Sequence, residues 1–351
     1  MIAAVPRWPF VARLRSRLHP NAPVPTSDSL PAYGIFRILV CRVTHTLGNT
    51  LLLTPLIQEL QSLYPGAEID IITRSEAAAE IFGAFARVRT IYCVPGHALS
   101  HPLRYSSVLR LMHRVKYDLV IDPCPRSQTG RLLLRLARGR FKAGFISERK
   151  AGSLTHGTSI PAAPRHAGKL PVYLLRALRQ LPVRDDYPHL DMALSPSERQ
   201  VGVQALDHVV TSSGGQIKRG MIGVFANATP PKLLAPEWWR RFMKIIEAHY
   251  TDYSIVEIVP MFGRSLLGSR YPAYYSSSIR KLSGTLSALS MFISADCGIM
   301  HLASASGAKT IGIFTETDAA DWGPYGPNDC AINARERTPE DAAGDVIDQN
   351  P

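Results

Sequence analysis

The chain contains 351 residues, of which 46% are hydrophobic and 19% are charged. These values are typical of a globular protein and exclude a mainly disordered, collagen-like or coiled-coil chain. At about 150 residues per domain, the length predicts two domains. No run of 18 uncharged apolar residues occurs, so the sequence predicts no transmembrane helix.

The charge is strongly basic and unevenly distributed. Lysine and arginine number 40 against 28 acidic residues, which gives a net charge of +12 and predicts an anionic partner. Residues 101–150 hold 12 basic and three acidic residues, whereas residues 301–351 hold three basic and nine acidic ones. The anionic partner is therefore expected to bind the first half of the chain. Few aromatic residues interleave with the basic block, which disfavours nucleic acid as the partner.

The cysteines and the leader bear on the cellular compartment. Five dispersed cysteines with no CxxC pair argue against a disulfide framework and a structural zinc site, so a cytoplasmic location is predicted. Residues 1–34 form a basic, proline-rich leader, in which Trp8, Phe10 and Leu14 alternate with arginines. Two interpretations remain open: a helix lying on the surface of an anionic membrane, or a disordered basic segment.

The first half alternates strands with helices. Short apolar runs predict strands over 35–41, 69–72, 90–94 and 118–121. The pattern of Leu52, Leu56 and Leu60 predicts a helix with Pro55 near its start, and further helices are predicted over 75–86, 104–115 and 130–137. This alternation is typical of βαβ units with a parallel sheet.

The second half repeats the alternation after a polar, weakly patterned segment, 195–220, which is predicted to connect two domains. Strands are predicted over 221–225, 254–259, 291–295 and 309–314, with helices over 236–249 and from Gly298 onward. The predicted fold is α/β, with doubly wound domains over 35–200 and 215–351. Ligands of such sheets bind beyond the carboxyl ends of the strands, so the cleft between the domains is the predicted active site.

Several nucleotide and metal motifs are absent from the sequence. It contains no GxGxxG, no P-loop lysine motif, no Asp-x-Asp pair and no HExxH, so no cofactor and no metal site are predicted. A diphosphate would have to be held by helix N-termini and basic side chains.

The segment 292–303, FISADCGIMHLA, predicts a strand, a tight turn and a helix start. Backbone N–H groups of Cys297, Gly298 and Ile299 would suit a phosphate, and Gly298 would let it approach closely. Asp296 could accept hydrogen bonds from sugar hydroxyls, and His301 could reach a charged oxygen. The alternative interpretation makes Asp296 a helix N-cap and His301 a packed helix residue.

This segment, together with TETD at 315–318 and WGPYG at 322–326, resembles the C-terminal signature of the ADP-heptose:lipopolysaccharide heptosyltransferases, glycosyltransferase family 9. Residues 38–60 are similar to the family's opening strand, its RxxxxGDxxxxTPxxxxL stretch and its first helix. The resemblance covers about residues 35–330, with specific motifs at both ends and a loose middle.

The resemblance implies a GT-B fold, in which two Rossmann-like domains face each other across a cleft. It places the acceptor mainly on the first domain and a nucleotide-sugar donor, ADP-heptose-like, mainly on the second. Carried over residue by residue, it implies donor contacts from Thr229, Lys232, Asp296, Cys297, Gly298, His301, Thr317 and Asp318.

Three departures from the family pattern concern the chemistry. Asn49 stands where the family has an acidic residue proposed as general base, and an amide cannot take a proton at neutral pH. His45, four residues earlier, is the substitute candidate, with a solvated loop histidine as the alternative interpretation. Cys297 replaces a usual Ser or Thr. Glu316 replaces a usual proline, which indicates a different donor or a loop turned outward.

The predicted function is an inverting, metal-independent glycosyltransferase that moves a sugar, heptose by resemblance, to an anionic lipopolysaccharide core-like acceptor. It is expected to work at the cytoplasmic face of the inner membrane with peripheral contact. The alternatives are transfer of another nucleotide sugar for O-antigen, capsule or glycolipid, and a non-catalytic nucleotide-sugar-binding relative marked by Asn49. Candidate contributors to acceptor binding are the basic residues Arg104, Arg110, Arg114, Arg126 and Arg131, with a solvated helix charge as the alternative interpretation of each.

Overall fold

The computed structural model describes residues 29–96, 102–146, 153–182, 184–260 and 264–349. The membrane-surface helix predicted in the leader falls within residues 1–28 and so lies outside the described residues. Among the helices in the described ranges, none combines the length and apolar character needed to cross a membrane. The described residues form two six-stranded sheets with helices around them.

The first sheet is entirely parallel and has the strand order β3-β2-β1-β4-β5-β6. Its strands are β1 (Arg37–Cys41), β2 (Glu68–Thr73), β3 (Val88–Cys93), β4 (Lys116–Asp122), β5 (Arg138–Phe145) and β6 (His156–Thr158). The helices of this half are α1 (Leu47–Leu51), α2 (Thr54–Leu63), α3 (Ala78–Phe82), α4 (Pro102–Arg114), α5 (Gln128–Leu136) and α6 (Lys169–Leu178).

The second sheet is also parallel, with the order β12-β11-β10-β7-β8-β9. Its strands are β7 (Gly220–Phe225), β8 (Tyr253–Ile258), β9 (Ala273–Tyr274), β10 (Met291–Ala295), β11 (Thr310–Phe314) and β12 (Cys330–Asn333). The accompanying helices are α7 (Pro196–Ser212), α8 (Pro236–His249), α9 (Ile279–Leu286), α10 (Gly298–Ser306), α11 (Ala319–Trp322) and α12 (Pro339–Asp348).

Both sheets share one topology, which fixes where a ligand can bind. Counted within its own half, each sheet has the order 3-2-1-4-5-6, and the direction of winding reverses between β1 and β4 and between β7 and β10. At such a reversal, neighbouring crossover helices lie on opposite faces and leave a crevice outside the strand ends. The predicted doubly wound α/β class is confirmed, and the loops after β1, β4, β7 and β10 lie at these crevices.

The leucine pattern predicted as one helix forms two. Helix α1 ends at Leu51, and α2 begins at Thr54 with Pro55 in its first turn. Proline lacks the N–H group that an interior helical residue donates, but the first turn has no partner for that group. Because of this break, α1 spans only five residues. It directly follows the loop after β1.

The segment 195–220, predicted as an interdomain connection, consists mostly of helix α7. Ser195 caps this helix, and Ser195 and Glu198 form a reciprocal capping box. Gly202 packs so closely on α9 that an added Cβ would lie 2.0 Å from the Gly284 carbonyl oxygen. Helix α7 therefore packs with the second half. The predicted domain bounds themselves stay predictions.

His166 joins the loop before α6 to the second half. Its Nε2 donates to the Gly323 carbonyl at 2.8 Å, while its Nδ1 accepts from the Gly168 N–H at 3.1 Å. The side chain is 6% exposed, and burial lowers its pKa to about 4. His166 is therefore neutral at pH 7, in the tautomer that this pair of bonds requires.

This burial makes stability depend on pH. Between pH 6.5 and about 4, the unfolded chain binds a proton at His166 that the folded chain does not, so stability falls as the pH falls. We expect His166 to cost about 2 kcal/mol of unfolding free energy between pH 7 and pH 5. Urea denaturation should show that His166→Gln loses correspondingly less over this range. The exposed His208 supplies the control: His208→Gln should follow the wild type.

Candidate active site between the two sheets

A cavity of about 920 Å³ lies where the two halves face each other. Its wall comes from α1, from the loops that follow β7, β8, β10 and β11, and from the end of α11. This larger cavity is lined by seven of the eight residues for which the sequence predicts donor contacts: Thr229, Lys232, Asp296, Cys297, Gly298, His301 and Thr317. The eighth, Asp318, does not line it.

Asp296 and Lys232 form the charged centre of the larger cavity. Lys232 Nζ lies 2.8 Å from Asp296 Oδ2, and the Thr317 hydroxyl donates to the same oxygen. Asp296 is only 4% exposed, and a carboxylate buried to this degree requires a partner of opposite charge. The N-cap of α10 is Cys297, so the alternative interpretation of Asp296 as an N-cap is wrong.

Two buried polar atoms in the lining lack partners in the described part of the chain: Asn227 Nδ2 and His301 Nδ1. Burial lowers the pKa of His301 to about 3, so its imidazole is neutral at pH 7. A buried polar group without a hydrogen bond is costly and rare in native proteins. Both residues line the larger cavity, where a ligand could supply the missing partners.

The N-terminus of α10 lies at the same wall. Its N-cap, Cys297, is extended, and no side chain caps the first turn by hydrogen bonding. The amides of a first helical turn lack intrahelical partners and attract anions. Cys297, Gly298 and Ile299 all line the cavity. Burial raises the pKa of the Cys297 thiol, which keeps it uncharged next to an anion.

Gly48 and Gly298 allow the two halves to approach closely here. A Cβ added at Gly298 would lie 3.1 Å from Leu47 Cβ and 3.2 Å from the Gly48 nitrogen. A Cβ added at Gly48 would lie 2.9 Å from His301 Cδ2. From the sequence, Gly298 is predicted to let a phosphate approach the backbone closely. The structure adds a second reason, because α1 of the facing half occupies the space next to it.

A second, smaller cavity of about 490 Å³ adjoins the first on the side of the first sheet. It is lined by the loops after β1 and β4, by residues 160–170 and by α11. Asn49 and Trp322 line both cavities, so they lie at the junction. The two cavities are the crevices of the two sheets, meeting at one point.

Asn49 is held in a fixed orientation at this junction. Its Oδ1 accepts from Arg42 Nη2 at 3.2 Å, and its Nδ2 donates to the Thr46 hydroxyl at 2.8 Å. His45, the substitute base predicted from the sequence, is exposed and lines neither cavity. Its catalytic role stays a prediction that this geometry does not favour.

The arginines of the smaller cavity are mostly not those singled out in the sequence. Arg126 lines it, but Arg131 is buried, 3.3 Å from Asp122, and its Nη2 donates to the Phe145 carbonyl. Arg131 is therefore a structural residue, and its candidacy for acceptor binding was wrong. The remaining candidates, Arg104, Arg110 and Arg114, are exposed on α4, outside both linings.

Sequence reasoning missed Arg42 and Arg165, which also line the smaller cavity. Arg42 directly follows β1, a position that the rule of strand carboxyl ends could have singled out. Arg165 carries no comparable signal, because it lies in an irregular segment. It reaches Asp318 at 2.8 Å and Asp321 at 2.9 Å in the other half.

Two residues of the loop after β11, Glu316 and Asp318, do not line the larger cavity. Glu316 is exposed and outside the lining, and its carbonyl accepts from Arg335. Of the two interpretations of Glu316, the outward loop is the one that fits. Asp318 caps α11 through the Ala320 N–H and binds Arg165.

Comparisons with known proteins agree with this arrangement. A family model described as glycosyltransferase family 9 (heptosyltransferase) matches residues 277–349. Lipopolysaccharide heptosyltransferase 3 of Escherichia coli is 21% identical over 296 residues, which cover 80% of this chain and 84% of the relative. The resemblance to glycosyltransferase family 9 is confirmed. The family resemblance and this relative support glycosyltransferase activity.

Solved structures show that this family 9-like chain has the predicted GT-B fold. A glycosyltransferase family 9 structure from Veillonella parvula has a TM-score of 0.71 at 18% identity, covering 87% of this chain and 88% of the other. The E. coli heptosyltransferase WaaC with ADP has a TM-score of 0.66 at 19% identity, covering 90% of this chain and all of the other. E. coli ADP-heptose lps heptosyltransferase II has a TM-score of 0.65 at 14% identity, with 90% and 98% covered.

The glycine contact in this family 9-like chain can be tested by substitution. We expect Gly48→Ala to push His301 out of place, at an overpacking cost of about 1–3 kcal/mol. Alanine offsets up to about 1 kcal/mol of this through its better helix propensity. Urea denaturation should therefore show a net loss of up to about 2 kcal/mol of unfolding free energy in Gly48→Ala. Gly66→Ala is the control, because no atom lies within 4 Å of its added Cβ. Equal stability of the two variants would contradict the expected displacement of His301.

Proposed function

We propose that the protein is an inverting glycosyltransferase that moves heptose from an ADP-heptose-like donor to a hydroxyl of an anionic lipopolysaccharide core-like acceptor. The observation that carries the proposal is the meeting of two cavities, one per sheet, at Asn49 and Trp322. A transferase must hold two substrates with their reacting atoms close together. Each crevice would hold one substrate, and the junction would hold the reacting atoms.

The larger cavity suits the diphosphate and sugar of the donor. Lys232 and the open N-terminus of α10 supply positive charge for the diphosphate. On donor binding, Lys232 would exchange Asp296 for the phosphate oxygens. Asp296 would keep the Thr317 bond and accept sugar hydroxyls with its free lone pairs. Solved structures of the similar heptosyltransferase WaaC contain ADP and ADP-2-deoxy-2-fluoro heptose, which supports this choice of donor.

The smaller cavity suits an anionic acceptor. Within the described ranges, Arg42 and Arg126 have no ion-pair partner, and both line this cavity. Unpaired guanidinium groups attract phosphates and carboxylates and bind them with two parallel hydrogen bonds. The E. coli relative is named a lipopolysaccharide heptosyltransferase, and its acceptor class fits such a cavity.

In the proposed step, the acceptor oxygen attacks the anomeric carbon from the junction side. The bond from that carbon to the diphosphate breaks on the opposite side, which inverts the configuration. Lys232 and the α10 amides would stabilise the charge that develops on the diphosphate, as preorganised donors do in other active sites. These groups support a metal-independent reaction.

We place the reaction at the cytoplasmic face of the inner membrane, where a lipid-linked acceptor would be presented. The basic surplus of the first half supports this placement, since anionic membranes attract such surfaces.

One further candidate function rests on Asn49, which leaves no carboxylate at the family's base position. It is a nucleotide-sugar-binding relative without turnover, and a transfer assay with ADP-heptose and a truncated lipopolysaccharide core separates the two.

We expect ADP-heptose to raise the melting temperature of the wild type more than UDP- or GDP-sugars do, because a ligand that binds only the folded form stabilises it. Lys232→Ala should weaken ADP binding about 10- to 100-fold, the value of one charge-assisted hydrogen bond. Lys244→Ala, an exposed lysine of the same half, is the control. A preference for another nucleotide, or full ADP affinity in Lys232→Ala, would contradict the donor assignment.

The acceptor assignment predicts a distinction between two arginines of the first half. Arg126→Ala should raise the KM for lipopolysaccharide core several-fold without changing the KM for ADP-heptose, because Arg126 lines only the smaller cavity. Arg110→Ala removes a charge of the same sign from exposed α4 and should have little effect. Equal effects of the two variants, measured by steady-state kinetics at two salt concentrations, would indicate general electrostatic attraction instead.

A further inference from the structure

Transfer to a hydroxyl requires a group that accepts the hydroxyl proton. General bases contribute about 10²- to 10⁴-fold to such reactions. Asn49 lies at the junction but cannot take a proton. Among the described residues, the two cavity linings contain two carboxylates and one histidine: Asp296, Asp321 and His301. The base must be sought among these three if the proposed function holds.

Two of the three are unsuited to the task. Asp296 is bound to Lys232 and Thr317 on the wall of the larger cavity, away from the acceptor side. His301 lines only the larger cavity, and burial lowers its pKa to about 3, which makes it a weak base. Neither residue lines the smaller cavity.

We propose that Asp321 is the general base that deprotonates the acceptor hydroxyl. Asp321 lines the smaller cavity together with Asn49, and its chain neighbour Trp322 lines both cavities. Its side chain is 34% exposed, so an acceptor can reach it. The assignment rests on the proposed function, since it presumes transfer to a hydroxyl bound in this cavity.

The surroundings of Asp321 leave one of its oxygens available. Oδ1 accepts from Arg165 Nε at 2.9 Å, whereas Oδ2 has no hydrogen bond within the described part of the chain. The backbone is fixed, because the Asp321 carbonyl accepts from the Ala167 N–H at 2.9 Å. Asp318 caps the helix that carries Asp321. The carboxylate is thus held in place through Oδ1, while Oδ2 has no donor among the described residues.

Three arginines, Arg42, Arg126 and Arg165, line the same cavity as Asp321. Arg165 divides its hydrogen bonds between Asp321 and Asp318. The nearby His166 is neutral at pH 7. A carboxylate oxygen that is not engaged by a protein donor can accept a proton from a bound hydroxyl.

In the proposed step, the acceptor O–H proton passes to Asp321 Oδ2 as the acceptor oxygen forms its bond to the anomeric carbon. The bond between that carbon and the diphosphate breaks, and its electron pair leaves with the diphosphate. Asp321 then releases the proton to water. Asn49 orients the hydroxyl at the junction and takes no proton.

The test compares Asp321→Asn with Asp318→Asn, using ADP-heptose and a truncated lipopolysaccharide core. Both variants remove one carboxylate partner of Arg165, but only Asp321 lines the smaller cavity. We expect kcat to fall about 100-fold or more in Asp321→Asn. The fall in kcat of Asp318→Asn should be at least 20 times smaller than this. The KM for ADP-heptose and the thermal stabilisation by ADP should stay at wild-type values in Asp321→Asn.

A second variant guards against a purely structural effect. Adding Asn49→Asp to Asp321→Asn returns a carboxylate to the junction and should restore kcat at least 10-fold. A kcat within threefold of wild type in Asp321→Asn, equal falls in both single variants, or no restoration in the double variant would overturn the base assignment alone. Absence of transfer by the wild type would overturn the proposed function and the base assignment together.

Discussion

The close approach of α1 and α10 at Gly48 and Gly298 is the constraint on which the rest of the site depends. A Cβ added at Gly298 would lie only 3.1 Å from Leu47 Cβ, and one added at Gly48 only 2.9 Å from His301 Cδ2. Buried hydrophobic residues of both halves continue into one cluster around this contact. The carboxyl ends of the two sheets therefore face each other at a short distance. Two crevices that would be separate on isolated Rossmann-like domains become one divided cleft.

Charge is distributed differently in the two parts of this cleft. On the second sheet, Lys232 is neutralised by Asp296 and becomes available only by exchange with another anion. On the first sheet, Asn49 leaves Arg42 with an amide oxygen instead of a carboxylate, so its charge is not cancelled. An acidic residue at position 49 would pair with Arg42 and reduce the attraction for an anionic acceptor. The same substitution that removes a base from the junction makes the smaller cavity more positive, and Asp321 supplies a carboxylate from the other half.

Particular elements show how far sequence patterns reach. The bounds predicted for β10 and α8 match those in the structure. An uninterrupted apolar run and a long amphipathic repeat are strong local signals. Strand β5 was missed because Arg138, Arg140 and Lys142 interrupt its apolar pattern. Strands β6 and β9 span only three and two residues, too few for any periodicity. Arg131 was misjudged because a buried arginine paired with Asp122 and a solvated one are identical in sequence.

The sequence by itself determined the α/β class, the two-fold repetition of the fold and seven residues that line the larger cavity. The class, the repetition and the residues between Asp296 and His301 follow from local periodicity and from a strand–turn–helix motif whose parts are adjacent in the chain. Thr229, Lys232 and Thr317 follow from the resemblance to glycosyltransferase family 9. Only the tertiary structure decided that Asn49 and Trp322 join two cavities, that Arg165 bridges to Asp318 and Asp321, and that His45 lies outside. Those relations connect residues more than 100 positions apart. They depend on how the two sheets pack against each other, which no local pattern encodes.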